Sequence, residues 1–270
     1  MPDLAVYKKI NGNALKIVAC VTMFIDHIGA GFMLPYVRYG YYDGNLSIDQ
    51  LNMIYKALRM IGRTAFPIFC FLLVEGFIHT RSRLRYALSL LLFGIISEIP
   101  FDLLFFAEEE IDNINMISAL KANSYLIWDQ CNVYFTLLIG LLVIWGIEST
   151  KHFLSEKKAP IYVSWLFIFL FTGAGCLTAY KLNTDYDMYG VILITIFYLL
   201  QRYDYIRLFA GYLYISQLGL EYASLPGFLL MLLYSKKRGK NLGMFKYLFY
   251  LFYPVHLTAI YICRCIAMNS

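Results

Sequence analysis

Charge is what this chain has little of. Asp, Glu, Lys and Arg together make up 15% of its 270 residues, against roughly one quarter in an ordinary soluble domain. Hydrophobic residues make up 60%, and the mean hydropathy is +0.60. That balance excludes a water-soluble globule. Long polar tracts are scarce too. The longest, about 107–130 (AEEEIDNINMISALKANSYLIWDQ), is loop-sized with room for a short interfacial helix, so a single integral membrane domain over 1–270 is expected. There is no glycine-rich nucleotide loop, internal repeat or low-complexity tract. The six cysteines (Cys20, Cys70, Cys131, Cys176, Cys263, Cys265) offer no CxxC pair, and Cys263-x-Cys265 alone is a weak signal. They read as free thiols acting as small hydrophobes, and no metal is expected.

What the chain does have is apolar runs of membrane-crossing length, each needing about 20 residues. Nine are expected: about 14–34, 60–79, 86–106, 131–148, 160–180, 187–201, 205–220, 222–235 and 245–267. The three between 187 and 235 are short and crowded, leaving eight to ten spans open. The fold class is therefore all-α, a polytopic helix bundle. The first run carries Lys16, Asp26 and His27 and no small-residue cleavage site follows it, so it does not read as a cleavable signal peptide.

Basic residues collect on one side of such a bundle: Lys8 and Lys9, then Arg81, Arg83 and Arg85, then Lys151, Lys157 and Lys158. Arg202, Arg207, Lys236, Lys237, Arg238 and Lys240 follow. The opposite loops hold Arg38, Lys56, Lys121 and Lys181 with the acids Glu108, Glu109, Glu110 and Asp112. The positive-inside rule then places the N-terminus in the cytoplasm and the C-terminus outside. The net charge of +5 is met by anionic lipid heads, and no nucleic-acid partner is expected.

Within this topology the polar residues gather. Lys16 and His27 are eleven residues apart, which returns to one helix face about 16 Å along the axis. This puts a cation at the cytoplasmic end and an Asp26–His27 pair deep in the membrane. Arg63 (GRTAFP), Glu98 and Asp102 (SEIPFD), Asn132 (CNVYFT) and His256 (FYPVHL) fall in the same outer half. Seven ionisable or polar residues from five helices in one half-membrane mark a buried site, because such groups are costly there. Each has a structural alternative. Arg63 and Asp102 can snorkel to headgroups, Glu98 can bridge Arg63, His256 can cap carbonyls freed by Pro254, and Lys16 can be a positive-inside anchor. Glu75 and His79, at a helix end, read as structural, and His152 as solvated.

The blocks LKIVACVTMFIDHIG, GRTAFPIFCFLLVEGF, ALSLLLFGIISEIPFDL, CNVYFTLLIG and KYLFYLFYPVHL, in this order, resemble the motifs of the TraX family. These are multi-pass membrane proteins named for the enzyme that acetylates the N-terminus of conjugative pilin. The resemblance spans nearly the whole chain and thins between about 150 and 240. TraX proteins are in turn similar to the acyltransferase-3 class, whose first helix carries a basic residue, ten intervening residues and a histidine. Lys16 to His27 fits that pattern with Lys where Arg is common, and Arg63 or the Arg81/Arg83/Arg85 run stands where other arginine motifs are expected.

The resemblance implies an acyltransferase of the inner (cytoplasmic) membrane, with acetyl-CoA or another acyl-CoA as donor substrate. Lys16, Arg81, Arg83 and Arg85 would hold its phosphates and His27 would act as general base, an acetyl-His intermediate being a variant. Asp26 would bond Arg63 or a neighbouring helix, and Glu98 would fix the imidazole tautomer. Arg63 and Asn132 would stabilise the oxyanion or orient the acceptor, with Asp102 and His256 on the substrate side. The acceptor is left open among a pilin N-terminal amine, a cell-surface sugar hydroxyl and a lipid headgroup, as is a homo-oligomeric state. A proton- or solute-coupled secondary transporter is the rival reading, although the repeats and broken helices expected of one are not evident in the sequence. A noncatalytic assembly factor is the third.

Overall fold

In a computed structural model of the chain, residues 9–107, 115–240, 243 and 247–269 are described. The described residues form helices without strands, joined by two isolated bridges, Ile10 to Tyr234 and Cys131 to Thr184. The acids Glu108, Glu109, Glu110 and Asp112, the residue Lys8, and the first residues of the run at 245–267 lie outside the described residues.

Among the described residues, six stretches are long and apolar enough to cross a membrane: Gly12–Arg38, Ile48–His79, Arg83–Phe105, Val133–Glu156, Ile161–Lys181 and Leu248–Asn269. The protein is an all-α, multi-pass membrane protein. Between residues 187 and 235 lie α9 (Asp187–Leu199), α10 (Asp204–Ile215) and α11 (Leu225–Leu232), of 13, 12 and 8 residues. At 1.5 Å per residue they reach roughly 20, 18 and 12 Å, short of the ~30 Å hydrocarbon layer.

The described residues divide into two compact units. One gathers those within Met1–Phe69, Ile96–Trp128 and Ile215–Ser270; the other those within Cys70–Ile95 and Asp129–Tyr214. In the first unit, α1 (Gly12–His27) starts at Asn11, whose side chain accepts from the Ala14 amide at 3.0 Å. A π-helical turn, Ile28–Met33, follows His27 directly and leads into α2 (Leu34–Arg38). Helix α3 (Ile48–Gly62) opens on a reciprocal cap, with Gln50 N bonded to Ser47 Oγ and Ser47 N to Gln50 Oε1. The chain then breaks at Arg63 and Thr64 before α4 (Ala65–His79). Helix α1 packs against both α3 and α12 (Leu248–Asn269).

Helix α3 corrects the sequence reading, which took Arg38 and Lys56 as loop charges: they lie in α2 and α3. The pattern IDQLNMIYKALRMIG is amphipathic, with too few apolar residues to register as a membrane run. The described part of the tract at 107–130 carries a short helix, α6 (Met116–Ala122), and a 3-10 turn.

In the second unit, α7 (Val133–Glu156), α8 (Ile161–Lys181) and α9 pack on one another. The apolar side chains Trp165, Leu166, Phe169, Leu170 and Leu177 of α8 remain exposed, as suits a lipid-facing helix. The core includes Phe71 edge-on to Phe197 and Phe77 edge-on to Tyr198. Arg207, expected as a loop charge, is instead in α10 and buried. It donates from Nη1 to Glu75 Oε1 at 2.9 Å, with its guanidinium 4.4 Å over the Phe71 ring. The reason is pairing: Glu75, which no sequence window places beside it, neutralises it, and Asp204 Oδ1 lies 3.7 Å from its Nη2.

Candidate functional site

Helix α1 turns two adjacent residues to two different neighbours, because successive side chains on a helix are about 100° apart. Asp26 faces α3, where Arg63 Nη2 donates to its Oδ1 at 2.7 Å and Arg59 Nη1 donates to its Oδ2. Arg63 also donates from Nη1 to Glu221 Oε1 at 2.9 Å and from Nε to the Arg59 carbonyl at 3.2 Å. Two guanidiniums and two carboxylates thus form a compact cluster whose formal charges cancel, the condition for holding such groups in a low-dielectric setting. Glu221 comes from a 3-10 turn, Glu221–Ser224, that packs on α3.

His27 faces α12. Its ring lies parallel to that of His256, with centroids 5.0 Å apart, and His27 Nδ1 is 2.7 Å from His256 Nε2. His256 Nδ1 is in turn 2.7 Å from the Phe252 carbonyl oxygen, one turn back on α12. Phe105 and Tyr253 meet the His27 ring edge-on. Both histidines are buried. The His27 Nε2 makes no hydrogen bond among the described residues. Glu98 does not take the place expected of it beside the imidazole; His256 holds that position, because α12 lies against α1 at this level.

Two helix interruptions bracket these groups: the π-turn after His27, and the break at Arg63 and Thr64. π-helical turns such as the one after His27 are frequent at functional sites. At the other end of α1, Lys16 Nζ sits 5.5 Å from the Phe249 ring centroid of α12. The Lys16 and His27 side chains therefore share the α12-facing side of α1. The basic stretch Lys236–Lys240 is fastened onto the same end. Gly12 N and Asn13 N donate to the Lys237 and Arg238 carbonyls at 2.9 and 3.0 Å, and Asn13 Nδ2 donates to the Lys240 carbonyl at 2.9 Å.

Glu98 and Asp102 are both buried on α5 (Arg83–Phe105), which runs unbroken through Pro100; the Trp128 amide is 3.4 Å from Asp102 Oδ2. The remaining nominated residues belong to the second unit. Asn132 caps α7 by accepting from the Tyr134 amide at 3.0 Å and donates to the Gly94 carbonyl at 2.8 Å. Arg81 is exposed between α4 and α5, Arg85 is exposed on α5, and Arg83 lies 4.5 Å over the Phe77 ring.

Sequence reasoning missed Arg59, Glu221 and Arg264. Arg59 carried a signal, being one turn before Arg63 on the same helix face. Glu221 is the lone acid in the apolar run 205–235, which itself was a flag. Arg264 is buried on α12 and donates to the Gly31, Leu104 and Leu103 carbonyls at 2.8, 2.8 and 3.0 Å. Among the described residues no group of three or more His, Cys, Asp or Glu is placed to hold a metal ion.

With this geometry in hand, the family profile described as "TraX protein" matches residues 11–264. The chain belongs to the TraX family. It is also 30% identical over 262 residues, 90% of this chain and 91% of the other, to the probable fimbrial assembly protein FimC, serogroup H1, of Dichelobacter nodosus. No solved structure matches.

Proposed function

We propose that this TraX protein is a membrane-embedded acyltransferase of pilus or fimbrial assembly, moving an acetyl group from acyl-CoA to an amine or hydroxyl acceptor. The observation that carries the reading is His27: a buried imidazole held through Nδ1, with Nε2 left to meet a substrate, on the α1 face that also bears Lys16. The family's name, taken from pilin acetylation, and the fimbrial relative favour a pilin-type acceptor. The likeness of Lys16 to His27 to the acyltransferase-3 pattern adds the donor class.

The N-terminal end of α1 faces the cytoplasm in this reading. Lys16 and the Lys236–Lys240 stretch meet the donor's phosphates, since Lys and Arg are the usual phosphate partners; Arg81, Arg83 and Arg85 are the alternative set. The pantetheine arm follows α1 toward His27. The acceptor N–H or O–H gives its proton to His27 Nε2 as its nitrogen or oxygen attacks the thioester carbon. The C–S bond then breaks and the departing CoA thiolate takes the proton, so the imidazole ends as it began. Asp26, locked by Arg59 and Arg63, anchors the neighbouring turn of α1 and so fixes where His27 stands. Glu98 and Asp102 act on the acceptor side.

The test is acetyl-CoA binding and turnover by purified protein in nanodiscs, comparing wild type with Lys16→Ala and His27→Ala. Binding by wild type, weak binding by the Lys16 variant, and binding without turnover by the His27 variant are expected. No affinity of the wild type for acetyl-CoA would remove the reading and leave transport as its replacement; wild-type turnover by His27→Ala would remove the base.

A further inference from the structure

The chain of contacts from Phe252 through His256 to His27 decides where each imidazole carries its hydrogen. A carbonyl oxygen only accepts, so the 2.7 Å contact between the Phe252 oxygen and His256 Nδ1 requires a hydrogen on Nδ1. A neutral imidazole has one N–H, which leaves His256 Nε2 as a lone pair. That lone pair is 2.7 Å from His27 Nδ1, and two lone pairs at this distance repel, so His27 Nδ1 bears the hydrogen and donates. The same count leaves His27 Nε2 bare. Burial of both rings favours the neutral forms on which this count rests, because an isolated buried charge is costly.

We infer that His256 is a positioning residue that holds His27 in its Nδ1–H tautomer, the minor form of a neutral imidazole in water, so that Nε2 is presented as a proton acceptor. The Phe252 carbonyl is the fixed end of the relay. It cannot take a proton, so polarity runs one way, from His27 toward the α12 backbone. If His27 gains a proton at Nε2, its Nδ1–H bond to His256 is kept, and no side chain need turn over during a proton-transfer cycle. His256 thus has no nitrogen left for a substrate. The tautomer assignment stands on the contact geometry and the burial of the two rings; only its catalytic consequence rests on the acyl-transfer reading.

The chain holds four histidines, His27, His79, His152 and His256, so nitrogen-15 histidine labelling gives an NMR spectrum simple enough to assign by single substitutions. In wild-type protein in nanodiscs at neutral pH, His27 and His256 are expected as Nδ1–H with bare Nε2. In His256→Gln the amide oxygen can still accept from His27, and the tautomer should persist. In His256→Leu, His27 should revert to Nε2–H or a mixture. A wild-type His27 with hydrogen on Nε2 overturns the inference, as does an unchanged His27 in His256→Leu. With acetyl-CoA as donor, His256→Leu should lose about 10- to 100-fold in kcat, part of the 10²–10⁴ a general base supplies, with KM for the donor held and Gln restoring most of the rate. A kcat unchanged in His256→Leu refutes the positioning role. If wild type does not turn over acetyl-CoA, the acyl-transfer reading fails while the spectra still decide the tautomer.

Discussion

Gly62 lies against Asp26 so closely that a β-carbon built on it would overlap the Asp26 Cβ, Cγ and Oδ1 atoms. The last turn of α3 can approach α1 only because this position has no side chain, and that approach puts Arg59 and Arg63 on the two oxygens of one carboxylate.

Gly62→Ala should therefore displace Asp26 and loosen both arginine bonds. Overpacking of this kind costs roughly 1–3 kcal/mol, read as a lower midpoint in detergent unfolding, and His27, one residue along, should lose alignment and rate. Gly173→Ala in α8 is the control, because a β-carbon there meets nothing within 4 Å. It should be neutral or stabilising by up to about 1 kcal/mol. Equal tolerance of the two substitutions would show that the close approach is not tight.

A second expectation concerns the buried pair in the other unit. Removing one partner of a buried ion pair strands the other, at about 3–5 kcal/mol, whereas replacing both with apolar residues is often neutral. Glu75→Leu alone should lower thermal stability by leaving Arg207 without its 2.9 Å partner and with Asp204 Oδ1, 3.7 Å from its Nη2, as the remaining carboxylate. Adding Arg207→Met should restore most of it. A double variant no better than the single would mean that Arg207 has a role beyond neutralising Glu75.

How much of this was legible in the sequence follows from the range of each interaction. The all-α membrane fold and the family rest on composition and on contiguous motifs, and both could be read directly. Asp26, Arg63, His27 and His256 stood out because ionisable residues inside apolar runs are conspicuous one at a time. The bond of Asp26 to Arg63 was among the expectations and is present; the share taken by Arg59 and the His27 contact with a residue 229 positions away were not readable, because they depend on which helices lie beside α1. Arg207 was misplaced for the same reason, since its partner is 132 positions distant. Helix α3 escaped because a hydropathy window measures mean polarity, while an amphipathic helix announces itself by period.

Arg264 offers a third expectation. The Leu103 and Leu104 carbonyls belong to the last turn of α5, where no intrahelical donor remains, and the Arg264 guanidinium supplies donors to both and to the Gly31 carbonyl. Arg264→Met should leave these buried oxygens without charged donors and cost about 3 kcal/mol or more. Arg264→Lys should recover little, because an ammonium cannot span three carbonyls as a planar fork does. Limited proteolysis near the end of α5 and thermal unfolding would report it. Wild-type stability of Arg264→Met would show that water replaces the guanidinium.

The last expectation separates two sets of cations as holders of the donor's phosphates. Asn13 and Gly12 fasten the Lys237, Arg238 and Lys240 carbonyls to the first turn of α1, which turns those oxygens toward α1 and leaves the side chains to meet an anion near Lys16. Each surface charge contributes about twofold to fivefold in affinity, screened within roughly 8 Å at 0.15 M salt. Alanine at Lys236, Lys237 and Lys240 together should weaken acetyl-CoA binding by about tenfold or more at low salt, and flatten its salt dependence. Alanine at Arg81, Arg83 and Arg85 tests the second set in the same assay. If only the second triple weakens binding, the phosphates belong with α5 and not with α1; if neither does, the basic residues serve anionic lipid, and vesicles rich in acidic headgroups should then bind the wild type better than either triple variant.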